Sequence, residues 1–271
     1  MIPAQVKEFI IQNFKNDGIV CLTGAGISVD SGIPPFRGSG GLWSDYDPQL
    51  FGTKEGLRQV FYSNPEVFAE FISKFYILLL KARPNPGHMV LAELEKRYLL
   101  SALITQNIDS LHFQAGNRNC VELHGNAFRI RCANCNQKIM LEKDRLKEMI
   151  RLLELTGCSR IGILKIFSRY FPRCNCGARF RADIVLFGEP LPEQELSLAY
   201  RYIQNCSLLL ILGTSLSVYP AAELPFYAKE CGAKLMEINR EATPLSKVCD
   251  CSLRSGTTEA LLEIRELLGY A

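Results

Sequence analysis

Histidine is scarce in this chain of 271 residues: there are three, and one tryptophan. Imidazole chemistry therefore has only His88, His112 and His124 to draw on. An excess of either charge is also missing. The 31 basic and 28 acidic residues leave a net charge of +3, which argues against nucleic acid as the main partner. No secretory leader is read at the start, where Lys7, Glu8 and Lys15 interrupt an amphipathic pattern. The longest apolar run, around Leu208–Leu212, is far too short to span a bilayer and reads as a buried strand. Internal repeats and low-complexity stretches are absent. A disulfide scaffold is not indicated either. The 11 cysteines are odd in number, and Cys21, Cys206 and Cys231 stand singly in apolar segments, which fits a reducing cytoplasm.

What is present is a hydrophobic fraction of 48%, enough for one large α/β core or one domain with a small insertion. The chain turns on residues 20–43. A buried strand from Gly18 to Thr23 meets Gly24-Ala25-Gly26, and the residues after it can start a helix whose N–H groups and dipole attract phosphate. The dinucleotide fingerprint is incomplete, since Val29 stands at its third glycine and no acid closes a following strand about 20 residues on. Gly32-Ile33-Pro34-Pro35 cuts the helix short, and a loop with Phe36 and Arg37 comes next. A plain glycine-rich surface loop is the competing reading.

Helical spacing predicts helices over residues 3–16, about 55–62, 64–82 and 87–97, with Asn64-Pro65 as a start signal. Strands are expected at Tyr98–Thr105, Cys120–Leu123, Ala182–Phe187, Ser207–Leu212 and Lys234–Ile238, with helices at 193–204, 221–231 and 257–269. This alternation means a parallel, doubly wound α/β sheet. Gly24, Gln106, His124, Gly213 and Asn239 each come directly after a predicted strand, so one crevice at the strand ends can collect them.

Residues 129–180 form an inserted module with a charged, helix-prone middle at about 141–170. Cys132-x-x-Cys135 and Cys174-x-Cys176 bracket residues 136–173. Each pair can chelate one ion, and four thiolates make a closed, structural zinc site. Cys158 lies between them as a competing ligand. His88 comes after Pro86-Gly87 at a helix start and reads as a capping or packing residue; His112 reads as structural. His124, before a glycine, has the position and freedom of a general base. Gln106-Asn107-Ile108-Asp109 is either a polar turn capping a helix or a site for an amide-bearing ligand such as nicotinamide.

Several motifs then agree with one family. Gly24-Ala25-Gly26-Ile27-Ser28 through Gly32-Ile33-Pro34, Phe36-Arg37-Gly38 and Leu42-Trp43 resemble the cofactor loop of the sirtuins, NAD-dependent protein lysine deacylases. So do Thr105–Asp109, Glu122-Leu123-His124-Gly125, both cysteine pairs, Phe187-Gly188-Glu189-Pro190, Gly213-Thr214-Ser215 and Asn239-Arg240-Glu241. The resemblance spans about residues 18–260, in the family's order. It implies a Rossmann-like NAD-binding domain, residues 1–128 and 181–271, with part of a smaller domain at about 38–85, and a zinc-binding module at 129–180.

By that resemblance NAD is consumed as a co-substrate and one structural zinc is held by Cys132, Cys135, Cys174 and Cys176. His124 is the implied base and Asn107 its catalytic partner. Gly24, Ala25, Gly26, Ser28, Phe36, Arg37, Gln106, Asn107, Ile108, Asp109, Gly213, Thr214, Ser215, Asn239, Arg240, Glu241 and Thr257 are the implied cofactor contacts. The partner implied is an acylated-lysine protein or peptide, paired by strand addition along Val185–Glu189, with Val185, Phe187, Gly188 and Glu189 in contact. No nucleic acid and no membrane are expected.

There are departures. Pro35 stands where most sirtuins have aspartate, and Gly38–Trp43 resembles the desuccinylase branch. Yet the Tyr-x-x-Arg positions of that branch fall on Ile72 and Phe75, which leaves nothing to pair with a succinyl carboxylate. An apolar pocket there suits acetyl or longer fatty acyl groups. The alternatives are an ADP-ribosyltransferase or NAD hydrolase on the same fold, and a non-enzymatic NAD-sensing module.

Overall fold

The computed structural model describes residues 2–14, 18–35, 45–155 and 159–270. Phe36, Arg37, Leu42, Trp43 and Cys158 lie outside the described residues. The uninterrupted apolar runs become the middle of a sheet. β1 (Ile19–Thr23) and β7 (Leu208–Leu212) are buried at every residue and pair in parallel, Val20 opposite Leu209 and Leu22 opposite Ile211. β2 (Leu100–Thr105) and β3 (Cys120–Glu122) extend the sheet on one side, β8 (Lys234–Asn239) and β9 (Cys251–Arg254) on the other. The order is β3-β2-β1-β7-β8-β9, and every neighbouring pair is parallel. The chain winds outward in both directions from β1 and β7, so their carboxyl ends form the switch point where ligands collect.

Alternate side chains on these strands feed two cores. Cys21, Leu103 and Leu210 pack with α1 (Ala4–Asn13), α5 (Pro86–Lys96) and α11 (Thr257–Leu267) through Ile10, Leu91, Leu94, Leu261 and Ile264. Val20, Leu22, Leu209 and Ile211 pack with α9 (Glu193–Gln204) and α10 (Leu224–Glu230) through Ala199, Ile203, Leu224 and Ala228.

A third core belongs to a smaller antiparallel sheet, in which β4 (Gly125–Cys132) lies between β5 (Lys138–Met140) and β6 (Phe180–Ile184). The strand expected at 182–187 to rejoin the parallel sheet is β6, and it pairs with β4 instead. The reason is chemical. Arg181 and Asp183 give β6 a charged face, which a strand covered by helices on both sides cannot carry. The main sheet takes as its sixth strand the short edge β9, which the sequence pattern does not reveal.

The helices of this smaller unit are α2 (Pro48–Phe51), α3 (Lys54–Ser63), α4 (Pro65–Lys81), α7 (Lys143–Leu155) and α8 (Arg160–Tyr170), with a short α6 (Leu111–Ala115) in the larger one. Asn64 caps α4 by accepting the Val67 N–H at 3.2 Å, with Pro65 as first helical residue. The charged middle of the insertion is α7 and α8. Their inner faces, Leu146, Met149 and Leu153 with Ile163, Ile166 and Tyr170, are buried against Phe68, Tyr76 and Leu79 of α4. Among the described residues no helix is long and apolar enough to cross a membrane.

Candidate active site

The carboxyl ends of β1, β2, β7 and β8 and the facing edge of the small sheet enclose a cleft of about 1780 Å³. Its floor is set by how closely two turns approach. A Cβ on Gly24 would lie 2.6 Å from Thr214 Cβ, and one on Gly26 2.6 Å from Gly213 Cα. Only glycine allows that contact. The Gly24 N–H donates to Leu212 O at 3.0 Å and the Gly26 N–H to Gly213 O at 2.8 Å. These two donors, on residues expected to contact the cofactor, are thus spent on joining β1 to β7, and the turn keeps the Ala25 N–H. The turn leads into a short 3-10 helix, Ala25–Ser31, ended by Gly32 in the left-handed region at φ 85°.

Behind this floor lies a polar network. The Asn107 amide donates to Gly24 O and Ser28 Oγ, both at 3.1 Å, so its Oδ1 is left to offer a ligand. Ser28 Oγ donates to Asp109 Oδ2 at 2.6 Å, and the Leu111 N–H donates to Asp109 Oδ1 at 2.9 Å. Ser28 and Asp109 are buried and do not line the cleft; they hold Asn107 and the turn in place. Burial lifts the Asp109 carboxyl above the ordinary carboxylate range, against the hydrogen bonds from Ser28 and Leu111. Gln106 Nε2 donates to Thr214 Oγ1 at 2.9 Å, Asn239 Nδ2 to Thr214 O at 3.1 Å, and Thr257 Oγ1 to Gly26 O at 3.3 Å. Ala25, Ile108, Ser215, Arg240 and Glu241 line the same cleft, as does Pro35.

His124 faces this floor from the end of β3. Its Nδ1 lies 2.8 Å from Gln106 O, a carbonyl that can only accept, so Nδ1 carries the proton and Nε2 is left as the basic nitrogen. Burial lowers its pKa, with the Gln106 carbonyl opposing, so the imidazole is neutral at pH 7. The backbone is fixed from the small sheet. Val185 N–H donates to His124 O at 3.0 Å, and Gly125, at φ 80°, has no room for a Cβ, which would lie 2.0 Å from Asp183 O. Beneath the turn, Arg129 bridges Glu122 (2.9 Å) and Asp183 (2.6 Å), and Arg131 reaches Asp183 at 3.0 Å. Sequence reading misses this charged set because its members are far apart along the chain and, apart from Glu122, none stands in a motif.

His88 and His112 lie apart from the cleft. His88 Nδ1 accepts the Asn85 N–H in a reciprocal cap of α5, as the sequence predicts. His112 Nε2 lies 3.0 Å from Thr23 Oγ1, and the two rings are 4.8 Å apart. Both are buried, and His88 Nε2 and His112 Nδ1 have no hydrogen-bond partner among the described residues. Burial pushes His88 down to about 4 and His112 also well down, the latter with a contribution from His88. The unfolded chain, with ordinary imidazoles near 6.5, binds these protons first. Stability is therefore complete above pH 6.5 and falls as pH drops toward 4, on the order of 3 kcal/mol from His88 alone. Urea unfolding at pH 7.5 and pH 5 is expected to show the loss, and His88→Asn to reduce it; an equal loss in the variant would exclude His88 as its source.

Val185, Phe187, Gly188, Glu189, Ile72 and Phe75 all line the cleft. Along 185–189 the N–H groups of Val185, Leu186, Phe187 and Glu189 bond to His124 O, Glu189 Oε2, Gly52 O and Leu186 O. An added strand must therefore bring its own donors to the carbonyls here, a constraint that the sequence does not show.

The four cysteines form one cluster with all Sγ atoms within 4.8 Å of one another, Cys132 to Cys176 at 3.4 Å and Cys135 to Cys174 at 3.6 Å. Thiolates around a tetrahedral zinc stand about 3.8 Å apart, so the set fits that ion. The Asn134 N–H donates to Cys132 Sγ at 3.5 Å, which favours the thiolate.

The profile of the Sir2 family matches residues 24–220. The chain belongs to the Sir2 family. An NAD-dependent protein deacylase of Pyrococcus abyssi is 42% identical to this Sir2 chain over 254 residues, covering 92% of it and 94% of the relative. One of Aquifex aeolicus is 38% identical over 255 residues, covering 94% and 96%. A solved complex of Sir2 with p53 peptide and NAD+ superposes with a TM-score of 0.76 at 34% identity, over 98% of this chain and 99% of that one. A second, with deacetylated p53 peptide and 3'-O-acetyl ADP-ribose, gives 0.78 at 35% identity with the same coverage. The Sir2 fold accounts for the incomplete fingerprint: Gly24 and Gly26 are set by contact with Gly213 and Thr214, not by a dinucleotide loop.

Proposed function

We propose that this protein is an NAD-dependent protein lysine deacylase that transfers the acyl group of a modified lysine to ADP-ribose and releases nicotinamide. The observation that carries the reading is the state of His124: neutral, tied by Nδ1–H to Gln106 O, with Nε2 available in the cleft that also holds Gly213–Ser215 and Val185.

NAD supplies a ribose carbon that the acyl oxygen attacks as nicotinamide leaves. The chain's residues arrange the rest. Asn107 Oδ1, Gln106, Asn239 and the Ala25 N–H hold and orient the sugar and phosphates. His124 Nε2 takes the proton of a ribose hydroxyl, which then attacks the acyl carbon; the lysine amine is expelled from that carbon, and water adds to it to leave the acyl ester on the ribose. Phe36 and Arg37 are assigned to covering the reacting sugar and positioning the cofactor. The carbonyls of residues 185–189 receive the N–H groups of an extended peptide. The zinc-binding part, together with α2–α4, forms one wall of the cleft and the NAD-binding part the other. A cytoplasmic location goes with this reading, because the four thiols must stay reduced to hold zinc.

Incubation with NAD and an acetyl-lysine peptide, followed by mass spectrometry, tests the reading. O-acetyl-ADP-ribose with equimolar nicotinamide supports it. Free or protein-linked ADP-ribose without deacylation points to the transferase or hydrolase alternative, and unchanged NAD to a binding module; either would overturn it.

A further inference from the structure

Acidic residues stop in the second half of the insertion. From Leu155 to Ala182 the chain has six cations, Arg160, Lys165, Arg169, Arg173, Arg179 and Arg181, and no aspartate or glutamate. The rest of the chain has more acids than bases, 28 against 25, so the positive net charge comes from this segment. Two of the six are neutralised, Arg169 by Glu148 at 3.0 Å and Arg181 by Glu189 at 2.6 Å. Arg160, Lys165, Arg173 and Arg179 have no carboxylate partner among the described residues. The fold brings three of these four together. The Cys174 N–H donates to Ala178 O at 2.7 Å and the Phe180 N–H to Pro172 O at 3.0 Å. Arg173 and Arg179 are thereby an antiparallel pair with no hydrogen bond between them. That arrangement brings opposite side chains closest, with Cβ atoms about 4.5–5.5 Å apart, and like charges placed so repel. Each guanidinium has only a neutral partner, Arg173 the Gly177 carbonyl at 3.0 Å and Arg179 the Ser168 hydroxyl at 3.5 Å. Ser168 shares a face of α8 with Lys165, one turn earlier, which adds the third cation. Lys165, Ser168, Arg173 and Arg179 are all exposed. Ser168 and Arg179 also line the cleft that contains His124 and Val185.

Resting on the deacylase reading, we propose that Lys165, Arg173 and Arg179 form a docking patch for an acidic stretch of the substrate protein, on the flank of the acyl-lysine that leaves the cleft at Val185. The patch borders the same cleft, so the polypeptide that lies along 185–189 is the one that reaches it. β6 and its approach carry the chain from Arg179 to Val185 in extended form, which separates them by at most about 20 Å. An extended substrate covers that distance with about six residues. Its carboxylates replace the repulsion between Arg173 and Arg179 by ion pairs, and the guanidinium fork suits them. Three clustered cations on a chain of net charge +3 make a poor track for a nucleic-acid backbone. The cleft thus takes the acyl-lysine, and the insertion selects the protein that carries it.

The test uses acetyl-lysine peptides with a run of about four glutamates, placed about five to eight residues from the lysine, on the N-terminal flank or on the C-terminal flank. A third peptide has glutamine at all these positions. KM and kcat are measured at saturating NAD, together with Kd by calorimetry. One acidic peptide is expected to have KM and Kd about fivefold or more below those of the glutamine peptide, with kcat unchanged, because exposed ion pairs add binding that is uniform along the reaction. Raising NaCl from about 0.05 M to about 0.5 M should remove most of the gain. Lys165→Glu combined with Arg179→Glu should abolish it. The readout is the ratio between acidic and glutamine peptides, which a general loss of activity does not imitate. Arg173 is kept because it also holds the Gly177 carbonyl of the cysteine turn. Equal values for all three peptides, an equal gain on both flanks, or a gain indifferent to salt or to the double substitution overturns the patch. So does tighter binding of a single-stranded oligonucleotide than of either acidic peptide. A preference in Kd with no turnover of any peptide supports the patch and counts against the deacylase reading instead.

Discussion

Replacing His124 by alanine is expected to lower deacylation by a factor of about 10² to 10⁴, the usual contribution of a positioned general base. The fold should survive, because the imidazole's hydrogen bond is made to Gln106 O at the cleft wall, outside all three cores. Loss should appear in kcat more than in KM, since a proton is moved in the transition state and not on binding. The pH profile adds a second check. Burial lowers the His124 pKa, so the neutral, basic form persists below 6.5. Activity should fall only as pH drops through this lowered value, and the acid limb of kcat/KM should lie below 6.5. Deacylation that persists in His124→Ala would remove His124 from the role of base.

Removing zinc is expected to cost the most stability. Binding at a closed four-thiolate site is worth about 10–16 kcal/mol in small zinc domains, and it appears as folding energy. Here the cluster ties the end of β4, at Cys132, to the segment leading into β6, at Cys174 and Cys176. The same two strands fix His124 and Val185 through Gly125 and the Val185 N–H. Chelation or Cys174→Ala should therefore loosen β4–β6, expose α7 and α8 to protease and abolish activity. The parallel sheet, with its own two cores, should remain folded. Metal analysis is expected to find one zinc per chain. An unchanged melting curve and full activity after chelation would refute a structural role for the cluster.

The parallel sheet is legible in the sequence because β1 and β7 must be apolar on both faces, and their residues announce it. The strand-end residues Gln106, Asn107, His124, Gly213 and Asn239 are legible for the same reason: placing the strands also places the switch point. Three features are not. β9 is a short edge strand of mixed polarity, Cys-Ser-Leu-Arg, with no period to detect. β6 leads into an apolar run, Ile184 to Phe187, but takes its place from charges, Asp183 with Arg129 and Arg131, that pair only after the chain has folded. The demand for glycine at 24 and 26 comes from Gly213 and Thr214, whose approach no local pattern encodes. Local signals predict elements; the contacts between distant turns decide what those elements can bind.

The central claim is that the acyl oxygen is transferred to the ribose as NAD is consumed, with His124 activating the sugar. It is tested most directly with an acetyl-lysine peptide carrying heavy oxygen at the acyl carbonyl, incubated with NAD, quenched early and read by mass spectrometry. The label is expected in the ADP-ribose part of the product, one label for each nicotinamide released. Label recovered in free acetate, with NAD intact, would contradict it.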